Sequence, residues 1–273
     1  MYKILNKRAL NPYVTWMDIE APLIAKKARA GQFIILRINE KGERIPLTIA
    51  GYDRDNGVVT IIFQKVGVTT MLLDKLEVGD SLLDFVGPLG RATEVEGYSS
   101  VAIIGGGVGC AIAYPEAKAF HDAGANVDMI AGFRNKDMLM LEKEMSEVSD
   151  RLFVMTDDGS NGNKGFVTVK LKELLQTGNK YDLVVAIGPL PMMRAVSDIT
   201  KEYGIETIVS MNPIMIDGTG MCGGCRLTVG GQVKFACVDG PEFDAHQVDW
   251  DEAMQRLTQY KREEHECRLM RGL

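Results

Sequence analysis

The sequence predicts an α/β plus β chain: an antiparallel barrel, then a parallel-sheet α/β domain, then a small C-terminal cysteine module. Three observations predict it. Short β-rich runs broken by turn signals fill residues 1–97, strands alternate with helices over 98–210, and three closely spaced cysteines lie in the glycine-rich part of 211–273.

The barrel is read from GQFIILRIN, IPLTIAGYD, VVTIIFQKV and DSLLDFVGPLG, separated by EKGER, RDNG and EVGD. The inserted TTMLLDKL reads as one or two helical turns. From Ser99 the rhythm changes. VAIIGGG is an unbroken apolar run and therefore a buried strand, and CAIAYPEAKAFHDAG reads as a helix that closes at Gly124. NVDMIAGF, RLFVMTDDGS, DLVVAIG and ETIVSM continue as strands, with DMLMLEKEMSEV, VTVKLKELLQ and PMMRAVSDITKEYG as the helices between them. This regular alternation means a doubly wound parallel sheet. After Met211 glycine and cysteine dominate to Gly240, and DWDEAMQRLTQYKREEHE reads as one exposed, charged helix.

Composition excludes some functions. With 273 residues, 46% apolar and 25% charged, the chain has the balance of a globular protein of two domains and an appendage. Its net charge of -6 argues against nucleic acid or an anionic membrane as partner. The N-terminus lacks a signal-peptide run and VAIIGGGVGCAIAY is too short to span a bilayer, so a cytoplasmic location is expected. In a reducing compartment, an odd count of five cysteines with three clustered favours metal ligation over disulfides.

The glycine turn GGGVG follows a buried strand and opens a helix, the context in which glycines admit a pyrophosphate to a helix N-terminus. It carries Gly106, Gly107, Val108 and Gly109, yet it lacks the third glycine of G-x-G-x-x-G and no acidic residue ends the second strand. The third strand ends in TDDGSNGNKG, with Asp157, Asp158 and Gly159, and the fourth in GPLPMM, with Gly188 and Pro189. All three loops fall on the carboxyl edge of the sheet, where ligands of open α/β sheets bind; each alone is also a plain turn. In the barrel, Arg44 beside Pro46, Leu47 and Thr48, and Gly67, Thr69 and Thr70 at a helix start, suit a diphosphate. Arg44 reads equally as an exposed strand residue. No Ser-His-Asp or Cys-His arrangement is evident, so no catalytic side chain is assigned: His121, His246 and His265 read as surface residues.

R-x-P-L-T, then GPLG at 87–90, then GGGVG, then GPLPMM: in this order the motifs resemble the ferredoxin–NADP reductase superfamily. The stretches MNPIMIDGTGMCGGCR and FACVDGPEFDAHQVDW narrow the likeness to the electron-transfer subunits of dihydroorotate dehydrogenase and, more closely, to the small subunits of NADH-dependent reduced ferredoxin:NADP oxidoreductases, a family that includes sulfide dehydrogenase subunits. The resemblance implies an FAD-binding barrel held through Arg44, Ile45, Pro46, Leu47, Thr48, Phe63, Gln64, Lys65, Thr69 and Thr70. It implies NAD(H) at 106–109 and 157–159. It also implies hydride exchange between NAD(H) and FAD, with single electrons passing through a [2Fe-2S] cluster to a larger flavin and iron–sulfur subunit. That heterodimer partner would bind NADP(H) and ferredoxin in an electron-bifurcating enzyme. The alternatives are the dihydroorotate dehydrogenase electron-transfer subunit and a zinc-stapled NAD-binding adaptor.

The related cluster pattern is Cys-x4-Cys-x2-Cys with a distant cysteine. Cys222, Cys225 and Cys237 fill three places, and the first falls on Asp217, as in the small-subunit branch. Asp217 also reads as a turn residue. Cys110, Cys267 and His246 are the rival fourth ligands, and His246 would make a Cys3His zinc site.

Overall fold

The structure, a computed structural model, describes the backbone of residues 1–270 and side chains through Glu266. The chain divides into two units: residues 1–91, 212–241 and 249–273 form the first, and 92–211 with 242–248 the second.

In the first unit, β1 (Tyr2–Asn11), β2 (Val14–Glu20), β3 (Phe33–Arg37), β4 (Ile45–Asp53), β5 (Val58–Gln64), β6 (Ser81–Leu82) and β7 (Asp84–Leu89) form an antiparallel sheet in the order β6-β1-β2-β5-β4-β3-β7. This is the antiparallel barrel the turn-punctuated sequence predicts, nearly closed. Inward-facing Ile4, Met17, Ile19, Ile34, Leu36, Ile61 and Phe63 fill its core, completed by Leu73 of α2 (Val68–Asp74). A short α1 (Pro22–Ala25) caps one end. Two close approaches shape the edge strands. A Cβ at Gly87 would lie 2.6 Å from Ile34, and one at Gly90, where φ is +74°, would lie 2.8 Å from Phe33.

The cysteine segment packs on this barrel. Gly218, buried with φ +83°, lies so close to β3 that a Cβ there would stand 2.7 Å from Ile35. Beyond it, β13 (Arg226–Val229) and β14 (Gln232–Phe235) form a hairpin turned by Gly230 and Gly231, both at positive φ as a tight two-residue hairpin turn requires. α7 (Ala236–Asp239) follows. The single charged helix expected after 249 is instead two helices, α8 (Trp250–Arg256) and α9 (Lys261–Met270). α8 is not wholly exposed: Trp250 and Ala253 are buried, and its first turn is tied to β13.

In the second unit, β8 (Ser100–Gly106), β9 (Asn126–Phe133), β10 (Arg151–Thr156), β11 (Leu183–Ile187) and β12 (Glu206–Ser210) are parallel in the order β10-β9-β8-β11-β12, and β15 (Glu242–Asp244) adds an antiparallel edge. The helices are α3 (Gly109–Asp122), α4 (Glu142–Glu147), α5 (Val167–Gln176) and α6 (Leu190–Glu202). α4 is shorter than DMLMLEKEMSEV suggests, because a 3-10 turn at Lys136–Met138 and Leu141 at positive φ break the run. An ion pair between buried Asp128 and half-exposed Arg151 braces β9 against β10. Asp128, fully buried, accepts both Arg151 Nε at 2.7 Å and Arg151 Nη2, and Tyr181 donates to it at 2.6 Å. Such a pair is costly to half-break. We expect Arg151→Met to destabilise the chain by roughly 1–2 kcal/mol, because the half-exposed arginine is partly screened by water and Tyr181 still donates to Asp128, measured by chemical denaturation, and Asp128→Leu with Arg151→Met to recover most of that loss.

Candidate functional site

The strand order reverses between β8 and β11, and the glycine turn sits at that switch point. Its glycines have distinct reasons. A Cβ on Gly109 would lie 2.3 Å from the Ile187 carbonyl oxygen, and one on Gly106 would lie 2.5 Å from Met192 and 3.1 Å from Pro189. These two therefore let the turn close against the β11–α6 junction that carries Gly188. Gly107 is different: its φ is +57° and nothing lies within 4 Å of where its Cβ would be. The turn is thus packed from below and open above, as a cradle for a dinucleotide must be. Gly109→Ala is expected to cost about 2 kcal/mol by overpacking and to abolish NADH binding, whereas Gly107→Asn, tolerated at left-handed backbone, leaves the melting temperature nearly unchanged. Thermal melts and NADH titration of the two variants check this.

The β10 loop lies on the same edge. The Asp157 amide donates to the Phe133 carbonyl at 3.0 Å, and the Lys136 amide to Ser160 Oγ at 2.7 Å, which ties the loops after β9 and β10 together. Asp158 accepts from the Ser160 amide at 2.9 Å, the Ser160 hydroxyl and then that amide hold its carboxyl below the usual range, and Gly159 adopts φ +78°. Val108 is the N-cap of α3.

In the barrel, Ile45, Pro46, Leu47 and Thr48 are all half-buried at the start of β4, where a closed barrel wall would alternate buried and exposed residues. One face of this strip is left open, flanked by Arg44, whose Nη1 lies 3.9 Å from Asp84. Phe63 points into the core, so only its backbone is available to a ligand. Gln64 is half-buried at the end of β5, and Lys65 pairs with Asp74 at 3.4 Å. Gly67 caps α2, and a Cβ there would meet no atom within 4 Å. The two threonine hydroxyls are already engaged: Thr69 donates to Glu43 at 2.9 Å, and Thr70 accepts the Gly67 amide at 3.1 Å.

The cysteine loop carries one close pair of sulfurs and two further candidate donors, Cys222 and Asp217. Cys225 and Cys237 are buried with their sulfurs 3.2 Å apart, beyond disulfide length. Burial, then the neighbouring Cys225, pushes the Cys237 thiol up to about 12. Cys222 is exposed; its Sγ accepts the Gly224 amide at 3.4 Å, a contact that favours the thiolate. Asp217 Oδ2 accepts the Thr219 hydroxyl, the Thr219 amide at 2.9 Å and the Met221 amide at 3.4 Å, which holds the carboxyl ionised and leaves Oδ1 outside these bonds. The turn reading and the ligand reading of Asp217 therefore coexist, one on each oxygen. Among the described residues no three histidine, cysteine or carboxylate side chains converge on a single point.

The rivals lie elsewhere. Cys110 is buried under the glycine turn, where desolvation raises its thiol to about 12. The His246 ring faces Thr200 at 3.1 Å and Asp244 at 4.0 Å. The Cys267 side chain lies outside the described residues. The sequence reading missed Asp249, Glu252 and Arg256, which bind α8 to the cysteine loop. The D-x-x-E spacing of a capping box was the visible signal for the first two.

The fold, an antiparallel barrel with a parallel α/β sheet and a cysteine module, and its glycine turn at the switch point are those of a two-domain dinucleotide-linked oxidoreductase. Residues 103–198 match the oxidoreductase NAD-binding domain model, and 212–249 match the iron–sulfur cluster binding domain of dihydroorotate dehydrogenase B. A Thermotoga maritima homologue of the dihydroorotate dehydrogenase B electron-transfer subunit is 50% identical, covering 90% of this chain and 86% of that protein. The electron-transfer subunit of Fusobacterium nucleatum dihydroorotate dehydrogenase B is 32% identical over 85% and 92% of the two chains. A solved structure of the NADH-dependent reduced ferredoxin–NADP oxidoreductase, a system of flavin-based electron bifurcation, is 46% identical with a TM-score of 0.94, covering 99% of this chain and 97% of that one. The chain belongs to the family of dihydroorotate dehydrogenase B electron-transfer subunits and their homologues. It is an oxidoreductase of NAD-linked electron transfer.

Proposed function

We propose that this chain is the small, electron-transferring subunit of a bifurcating ferredoxin:NADP oxidoreductase, acting in the cytoplasm as a heterodimer with a larger flavin and iron–sulfur subunit that binds NADP(H) and ferredoxin. When bound, NAD(H) would exchange a hydride with FAD, the flavin would divide the electron pair, and a [2Fe-2S] cluster would take the electrons singly. The turn at 106–109, with Asp157, Asp158, Gly159, Gly188 and Pro189, holds the dinucleotide by backbone approach at the switch point. The open strip from Arg44 to Thr48, the backbone at Phe63, Gln64 and Lys65, and Gly67, Thr69 and Thr70 hold FAD. No acid or base is required of the protein, because hydride transfer asks only for positioning. The boundaries 1–97, 98–210 and 211–273 remain our division of these three tasks along the sequence.

The observation that carries the reading is the buried Cys225–Cys237 pair in the cysteine loop, with sulfurs 3.2 Å apart. A tetrahedral zinc needs all four donors about 2.0–2.3 Å from one point. A two-iron cluster takes two donors at each iron. Buried Cys225 with Cys237 suits one iron of the second, and Cys222 with Asp217 would serve the other. The likeness to the bifurcating reductase, 46% identical over 99% of this chain, supports the bifurcating branch against the 32% identical Fusobacterium subunit, while the 50% identical Thermotoga protein carries the rival name only as a homologue. Anaerobic purification with absorption and electron paramagnetic resonance spectra tests the cofactors, and affinity capture from the source cell tests the partner. Flavin bands with a reducible two-iron signal are expected. A colourless zinc protein sinks the cofactor reading, and co-purification of a dihydroorotate dehydrogenase catalytic subunit sinks the branch.

A further inference from the structure

Each carbonyl of the two-glycine turn between Cys222 and Cys225 is held by an arginine. Arg226 Nη1 donates to the Gly223 oxygen at 3.3 Å from an exposed position. Arg256 Nη2 donates to the Gly224 oxygen at 3.1 Å, and its Nε is buried with no acceptor among the described residues. A guanidinium remains charged in proteins, so this is a cation kept partly out of water beside the turn. It is there by construction. The Asp249 amide donates to the Thr228 oxygen at 2.9 Å, the Glu252 carboxylate accepts the Thr228 amide at 2.9 Å, and Asp249 caps the helix through the Glu252 amide at 2.9 Å. These bonds fix the start of α8 on β13, and Arg256 stands one turn beyond Glu252 on the same face.

The other cations near the loop are weaker candidates. Arg226 is water-screened, and Arg44, which lowers the Asp217 carboxyl, is shared with Asp84. Reduction of a [2Fe-2S] cluster adds one electron and no proton, so the site becomes more negative by one charge. A nearby desolvated cation favours that product, and net charge and solvent exposure are established determinants of cluster potentials.

We propose that Arg256 is a positioning residue for the cluster: it fixes the Cys222–Cys225 turn and raises the cluster's reduction potential through its charge. The proposal rests on the assignment of the cluster to Asp217, Cys222, Cys225 and Cys237. The test is a mediator-poised redox titration of the full chain, followed by the two-iron resonance signal, for the parent, Arg256→Gln, Arg256→Met, Arg256→Lys and, as a control, Arg226→Gln. A parent without a two-iron signal defeats the cluster assignment itself, separately from this proposal. With the parent loaded, the neutral Arg256 variants are expected to show a reduced-to-oxidised ratio about tenfold lower at the parent's midpoint, a shift of about 59 mV downward for one electron. Arg256→Lys should recover most of that shift, and Arg226→Gln should move it much less. Loaded neutral variants at the parental potential overturn the proposal, as does a shift from Arg226→Gln of equal size. If only Arg256→Lys holds the cluster, its midpoint decides: a value near the parent's supports the charge, and a value lowered by about 59 mV overturns the proposal. Loss of the cluster in all three Arg256 variants marks a purely structural residue and overturns it.

Discussion

Asp217→Asn is expected to lower cluster content at least tenfold, a loss at or beyond that of a supporting residue around a metal site, while Asp217→Cys keeps the cluster at an altered potential. The asparagine variant is the informative one because of how the loop is built. Asp217 Oδ2 caps the turn through Thr219 and Met221, so alanine would remove both the turn and the donor. An asparagine oxygen can still accept those amide bonds, but the side chain is neutral and a far poorer ligand to ferric iron. The measurement is iron and acid-labile sulfide per chain, with the two-iron resonance signal. A fully loaded Asp217→Asn protein would remove Asp217 from the ligand set and leave the turn as its whole role. Cys225→Ser and Cys237→Ser serve as positive controls, since the buried pair has no alternative donor within the loop.

Much of the fold could be read from sequence because the decisive signals were local. The run VAIIGGG declares a buried strand and a tight turn within seven residues, and α3 stops at Asp122 with Gly124, φ +91°, just past its end, as that glycine predicts. The parallel order follows from strand–helix alternation alone. What sequence hid was mutual position. Gly218 looks like half of an Asp-Gly turn, yet its missing side chain is also what lets the cysteine segment lie on Ile35. The charged run after 249 looks uniformly solvated, because nothing local shows that Thr228 offers both a carbonyl and an amide to its first turn. Arg256 is one of several cations in that run, and only the turn it reaches distinguishes it. The same holds for β15: three residues give no periodicity, and only pairing with β12 makes them a strand.

Glu116 shows the limit most sharply, and it carries the last prediction. In sequence it is a charged helical residue; in the structure it is fully buried on α3, and neither carboxyl oxygen has a donor among the described residues. The group it meets is the Glu242 carboxyl at the start of β15, which accepts Thr93 Oγ1 at 2.5 Å and feels exposed Glu94 nearby. Two facing carboxyls need a shared proton, because two carboxylates would repel with no donor between them. Desolvation, with that pairing, raises Glu116 well above its usual range, and desolvation raises Glu242 to about 7. The native state therefore binds more protons than the unfolded chain between about pH 4.5 and 7, so stability falls as pH rises through that window. A carboxyl raised from 4.5 to about 7 loses roughly 3 kcal/mol across it at most. Glu116→Gln supplies an amide donor in place of the shared proton, lets Glu242 ionise, and is expected to flatten the dependence and raise the melting temperature at pH 8. Melts of the parent and Glu116→Gln at pH 6 and pH 8 decide it. A parent as stable at pH 8 as at pH 6, or a glutamine variant with the parent's slope, would mean that the pair does not hold a proton.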